Sequence, residues 1–261
     1  MPQALPRVLL IDDDEISRDV LAMMLEMHGF PVDAVESGRQ ALSLVESRSG
    51  NDVFAMPGLI LPGLILMDTQ MPGLSGLELI RWLRQFSTAP IIAISGSDPG
   101  DEIRAKTDGF LLKPIQAEDV VALLDSGNIQ GITPLPGTLQ EVTASIESPA
   151  DDPVIDSAVL GKLKAMMPAS AVREIYTAVA SDLKLRLGAI EAAMDAKNTE
   201  EVQRIAHTIK GGSSMVGVTG VVNISARLEN SNLSVTWPDE LARLHHALSA
   251  LEGMLGVEFP A

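Results

Sequence analysis

The spacing of apolar positions divides the 261-residue chain into two parts with different periods. Up to about residue 125, short apolar runs alternate with amphipathic stretches. Residues 7–11 (RVLLI), 31–35, 64–67, 90–94 and 109–112 are brief runs bounded by acid, Gly or Pro, which is the pattern of buried strands. Between them, residues 16–27 (Ile16, Val20, Met23, Met24, Met27), 37–47, 74–86 and 117–124 carry apolar side chains at helical spacing, with Ser37 placed to cap the second. Five strands alternating with helices predict a parallel, doubly wound sheet. Ligands of such sheets bind beyond the carboxyl ends of the strands.

The period is lost over residues 126–153, a stretch rich in Gly, Pro, Ser and Thr with no Lys or Arg. That composition predicts a linker, in which Ile132, Leu135 and Leu139 are candidates for contact with a domain surface. Helical spacing then resumes over residues 156–167, 169–196, 199–216, 220–230 and 239–255, with Asn198 and Glu201 spaced as a capping box. No strand pattern interrupts these segments, so an antiparallel helical bundle is expected. The expected divisions are an α/β domain at 1–126, a linker at 127–154 and an all-α domain at 155–261.

Composition narrows the classes of function. The chain has no cysteine, which excludes disulfides and thiolate metal sites. Its net charge of −16, its lack of a basic stripe and its aromatic content of 3% argue against nucleic-acid binding. Residues 1–126 hold 9 Lys/Arg against 19 Asp/Glu, net −10, so much of the acidity lies in the first part. No apolar run approaches the ~18 residues of a membrane span, and the opening residues make a poor signal peptide. A cytoplasmic protein with neither nucleic acid nor membrane as a partner is the expectation.

The predicted strand ends carry chemistry. The first strand ends in Asp12-Asp13, the third in Asp68, the fourth in Ser95, and the fifth in Lys113-Pro114. All should meet at one edge of the sheet. Clustered carboxylates repel one another and call for a cation; Mg²⁺ suits oxygen ligands and retains waters that a phosphate can replace. The blocks LLIDDD, LILMDTQMPGLSG, AISG and FLLKP, in this order, resemble the receiver domain of two-component response regulators over residues 7–124. The resemblance implies a flavodoxin-like sheet of order 2-1-3-4-5, with Asp68 as phosphoacceptor. It also implies Mg²⁺ held by Asp13, Asp68 and the backbone carbonyl of Gln70 with help from Asp12, Ser95 and Lys113 contacting the phosphoryl group, and Phe110 at an aromatic switch position.

Two departures from that pattern stand out. Residues 49–63 lengthen the connection before the third strand and contain a direct repeat, PGLIL at 57–61 and 62–66, of which only the second copy leads into the strand. Ser95 and Lys113 are also closer in sequence than is usual, so the fourth helix, within 98–107, is expected to be short or disordered. A second reading of the same residues stays open. Asp12-Asp13-Asp14 has the spacing of haloacid dehalogenase-type phosphatases, with Asp12 as nucleophile and Asp14 as acid/base, although MDTQMPG has no role there.

In the all-α part, AHTIKGGSSMVG at residues 206–217 places two adjacent glycines one turn after a histidine. At about 100° per residue, Val202, Ile205, Ile209 and Val216 form an apolar stripe, and His207 lies about 200° from Ile205. The histidine is therefore expected on the solvent side, with Lys210 beside it and no side chain at Gly211 in the next turn. Such an imidazole can act as a nucleophile toward phosphorus, with Lys210 neutralising phosphoryl oxygens and Gly211 admitting a partner. Residues 155–255 resemble a histidine phosphotransfer (HPt) domain, through AHTIKGGSS and more weakly ARLE at 226–229. Together the two resemblances imply a phosphorelay protein rather than an enzyme with a kinase ATP site. Its partners would be a sensor histidine kinase and other receiver or HPt domains. A different class of function is a binding module switched by phosphorylation of Asp68, with His207 idle.

Overall fold

Apolar runs of four or five residues are too short for a buried helix but long enough for a strand covered on both faces. In the computed structural model of the chain, which describes residues 5–49, 62–96, 100–115, 117–125, 154–230 and 236–259, five such runs form one sheet. They are β1 (Val8–Ile11), β2 (Val32–Val35), β3 (Leu64–Asp68), β4 (Ile91–Ser95) and β5 (Gly109–Leu112). All pairings are parallel and the order is β2-β1-β3-β4-β5. The central strands β1, β3 and β4 are buried throughout, whereas β2 and β5, at the edges, keep partial exposure.

The helices of this unit are α1 (Glu15–Met27), α2 (Gly38–Ser49), α3 (Gly76–Phe86), α4 (Asp101–Lys106) and α5 (Ala117–Asp125). Asp14 caps α1 by accepting from the Ser17 N–H at 2.9 Å. The buried face of α1 is centred on Val20, Leu21, Met24 and Leu25; Met27, part of the predicted stripe, lies exposed in the last turn. Leu79, Ile80 and Leu83 of α3 pack with Ala41 and Val45 of α2 and with Leu9, Ile11, Ile65 and Met67 of the sheet. The region expected to be a short or disordered fourth helix is the six-residue α4, whose residues all keep some exposure. The second PGLIL copy runs into β3, as expected, and the first copy lies outside the described residues.

The chain divides into two units, residues 1–143 and 144–261. The second is helical: α6 (Ser157–Met166), α7 (Ala169–Asp195), α8 (Thr199–Met215), α9 (Thr219–Asn230) and α10 (Trp237–Glu258). Helix α7 packs on α8, α8 on α9, α9 on α10, and α10 back on α7, which closes a four-helix bundle. Three-residue connections between α7 and α8 and between α8 and α9 force the chain to reverse. Val172, Tyr176, Val179, Leu183, Leu187 and Ile190 recur at three- and four-residue intervals along α7 and supply its buried face. Each such side chain contributes roughly 1.5–3 kcal/mol by leaving water.

The carboxyl end of α8 is gripped from two sides. The Tyr176 hydroxyl donates to the Val216 carbonyl at 2.9 Å. The Asp156 N–H donates to the Gly217 carbonyl at 2.8 Å. Gly217 has φ +72°, and a Cβ there would lie 2.8 Å from Val159 Cβ, so glycine is required for both conformation and space. Among the described residues, no helix is long and apolar enough to cross a membrane.

Candidate functional sites

Parallel register brings four strand ends level. Ile11 pairs with Met67, Asp68 with Ile94, and Ser95 with Leu112. Asp12, Asp13, Asp68, Ser95 and Lys113, distant in sequence, therefore meet at one sheet edge. Asp12, Asp68 and Ser95 are buried, and Asp13 is half-buried.

Lys113 is the hub. Its Nζ donates to Asp12 Oδ2 at 2.8 Å and to Asp68 Oδ2 at 2.7 Å. The Lys113 N–H donates to the Ser95 carbonyl at 2.8 Å, tying the end of β5 to that of β4. Asp12 Oδ2 also accepts from Ser17 Oγ at 2.8 Å, and Oδ1 accepts from the Asp14 N–H at 3.0 Å. The Arg18 guanidinium donates to the Asp12 carbonyl at 3.0 Å. Asp68 Oδ1 accepts from the Gln70 N–H at 2.7 Å. Phe110, on β5, is half-buried and lies under the Arg104 guanidinium, 4.0 Å from ring centroid to guanidinium carbon.

The electrostatics show a charge deficit. Burial, and then the neighbouring Asp12 and Asp68 carboxylates, push the Asp13 carboxyl above its ordinary range. Burial alone would lower the pKa of Lys113, but Asp12 and Asp68 more than reverse it, and the ammonium is held charged. One ammonium faces three carboxylates. Each of Asp12, Asp13 and Asp68 offers an oxygen, and these oxygens all lie within 4.8 Å of one another. Hard oxygen donors at that separation fit a small divalent cation.

In the bundle, His207 differs from its expected setting. Its side chain is 16% exposed rather than open to solvent, because α9 brings Glu229 against it. His207 Nδ1 lies 2.7 Å from Glu229 Oε1, and Lys210 Nζ donates to Glu229 Oε2 at 2.5 Å. Burial pushes the Glu229 carboxyl up, but the hydrogen bonds from His207 and Lys210, reinforced by their charges, leave it below the ordinary value. An ionised Glu229 only accepts, so in the neutral imidazole Nδ1 carries the proton and Nε2 keeps its lone pair. A helical wheel of α8 alone cannot reveal a partner on another helix. The signal that was available was ARLE, whose Glu229 follows the buried Leu228 on α9.

Gly211, Gly212 and Ser213 are buried in α8, and Val221, Ile224, Ser225 and Leu228 form the buried face of α9. Ser17 and Arg18 were not singled out by sequence; a serine on the buried side of an amphipathic helix was the available sign. Asp14, an acid/base candidate in the phosphatase reading, has its carboxylate engaged in capping α1.

Residues 8–125 match the family model of the response regulator receiver domain, and residues 174–254 match that of the Hpt domain. The chain is 27% identical over 260 residues to the sensory/regulatory protein RpfC of Xanthomonas campestris, covering 94% of this chain and 33% of that protein. It is 35% identical over 130 residues to the alkaline phosphatase synthesis transcriptional regulatory protein SphR of Synechococcus elongatus, covering 46% of this chain and 49% of that protein. The chain thus spans between a third and a half of the length of these relatives. Among solved structures, the receiver domain of the histidine kinase CKI1 from Arabidopsis thaliana complexed with Mg²⁺ is 34% identical, with a TM-score of 0.40, covering 46% of this chain and 91% of that one. A CheY-like receiver domain from Methylobacillus flagellatus is 28% identical, with a TM-score of 0.40, covering 47% of this chain and 98% of that one. With strand-end carboxylates in one unit and a histidine-bearing four-helix bundle in the other, the chain joins a response regulator receiver domain to an Hpt domain.

Proposed function

We propose that Asp68 accepts a phosphoryl group from a partner phosphohistidine and that His207 exchanges one with a receiver aspartate. The observation that carries the first step is Lys113, held between Asp12 and Asp68 beside a third carboxylate. Asp12, Asp13, Asp68 and the Gln70 carbonyl are the groups that would hold Mg²⁺. When bound, the ion supplies charge neutralisation for phosphoryl oxygens. Lys113 and Ser95 contribute cationic and hydroxyl contacts from the other side. In transfer, an Asp68 carboxylate oxygen forms a bond to phosphorus as the phosphorus–nitrogen bond of the donor histidine breaks, and the electron pair returns to that ring. Protein help is chiefly in-line placement and charge balance.

At the second site, His207 Nε2 attacks phosphorus as the acyl oxygen–phosphorus bond breaks and the donor carboxylate leaves. The ring becomes cationic, and Glu229 lies at 2.7 Å from Nδ1 to stabilise it. Lys210 stands one turn on to meet phosphoryl oxygens, while Gly211, expected to admit a partner, is buried within the bundle. The donors and acceptors would be a sensor histidine kinase and other receiver or Hpt domains.

Incubating the full chain with Mg²⁺ and a small phosphodonor tests the first step, and a separately purified phospho-receiver tests the second. Asp68→Asn is expected to abolish acyl-phosphate formation, and His207→Gln the acid-labile phosphate on the bundle. Labelling lost in Asp12→Asn but retained in Asp68→Asn would establish the phosphatase-like reading. Phosphate confined to Asp68 under every donor would establish the switched binding module.

A further inference from the structure

Ser17 occupies a position where helix amphipathicity calls for an apolar side chain. It lies on the buried face of α1 with Val20, Leu21 and Met24, and its exposure is 0%. A buried hydroxyl is costly unless it is bonded. Its bond runs to Asp12 Oδ2 at 2.8 Å, the oxygen that also accepts from Lys113. The Ser17 N–H is tied to Asp14 Oδ1 at 2.9 Å, so the first turn of α1 places the hydroxyl.

We infer that Ser17 is a positioning residue of the acidic site: its hydroxyl fixes the Asp12 carboxylate and offsets part of its charge, so that three carboxylates remain together before a cation binds. The charge count motivates this. Lys113 serves both Asp12 and Asp68, and Asp13 adds a third negative group within reach. An extra donor on Asp12 lowers the cost of holding the cluster in a metal-free state. A bound divalent cation takes over much of that task. The metal-free protein therefore depends on Ser17 more than the loaded protein does, and the inference rests on the cation reading of the site given above.

The test uses the full chain and its Ser17→Ala and Ser17→Cys variants; cysteine keeps the volume and is a weak donor. The receiver transition is followed by calorimetry in chelator and in saturating Mg²⁺, and Mg²⁺ binding is measured by titration. Both variants are expected to melt below wild type in chelator, with the gap narrowing in Mg²⁺. By linkage, their Mg²⁺ affinity is then about threefold to tenfold tighter. A gap equal in chelator and in Mg²⁺, with wild-type affinity, makes Ser17 an ordinary core group and overturns the inference. A wild-type chain that shows no response to Mg²⁺ overturns the cation reading, and this inference with it.

Discussion

Glu229→Gln removes one negative charge while keeping the length of the side chain, and it strikes at the point where three groups meet. In the native bundle the carboxylate receives His207 Nδ1 at 2.7 Å and Lys210 Nζ at 2.5 Å, and its side chain is 18% exposed. Hydrogen bonds to charged groups contribute about 1.5–3 kcal/mol, and partial exposure places this pair toward the low end. Phosphorylation at Nε2 makes the ring cationic, so the bond to His207 strengthens as the reaction proceeds. A loss of about 1.4 kcal/mol at the transition state slows transfer about tenfold. Glu229→Gln is thus expected to slow transfer to His207 about tenfold, and Glu229→Ala about tenfold to a hundredfold, because alanine also leaves Lys210 unpaired. The assay places either change in an Asp68→Asn chain and supplies a separately purified phospho-receiver. Acid-labile phosphate on His207 is followed over time, and far-ultraviolet circular dichroism checks that the bundle stays folded. A folded Glu229→Ala chain that accepts phosphate within twofold of the wild-type rate refutes the reasoning.

Lys113→Ala leaves the buried carboxylates of Asp12 and Asp68 without their shared counter-charge. It should destabilise the receiver unit by about 3–5 kcal/mol in chelator, read from denaturant midpoints; a loss below about 1 kcal/mol contradicts the assignment. Gly211→Leu is expected to slow transfer to His207, and because Gly211 is buried the added volume should also cost about 1–3 kcal/mol; wild-type transfer would show that the glycine gives no access. Ser225 Oγ is buried and has no hydrogen-bond partner among the described residues, so Ser225→Ala should raise bundle stability by about 1 kcal/mol, measured by thermal unfolding. For pH, Glu229 has its carboxyl lowered in the folded state; its contribution is present above the ordinary value of 4.5 and is lost as pH falls through the folded value. The bundle's melting temperature should fall over that acid range less steeply in Glu229→Gln than in wild type.

The parts legible in sequence were those encoded locally. Strand and helix periods follow from which side chains leave water, and each run of apolar residues carries that information within a few positions. Val8–Ile11, Leu64–Asp68 and Ile91–Ser95 read as buried strands for that reason, and the acids and lysine at their ends were aligned once the sheet was taken as parallel. Asp12, Asp13, Asp68 and Lys113 were thus found together, although Lys113 and Asp12 lie 101 residues apart. The short fourth helix followed from the close spacing of Ser95 and Lys113 set against the receiver pattern that the chain resembles.

Tertiary structure decided the partnerships. His207 was expected on the solvent side of its own helix, yet its exposure was set by α9, which brings Glu229 to it across 22 residues. Ser17 belonged to a helical pattern that says nothing about what its hydroxyl meets; only the docking of α1 against the end of β1 puts Asp12 there. Gly211, chosen for openness on a wheel, is buried by the packing of the bundle. A helix's own period states which face leaves water. Which polar groups on the neighbouring element stand at the rim of that face depends on the axial offset and crossing of two elements, and those are fixed by the packing of many side chains at once.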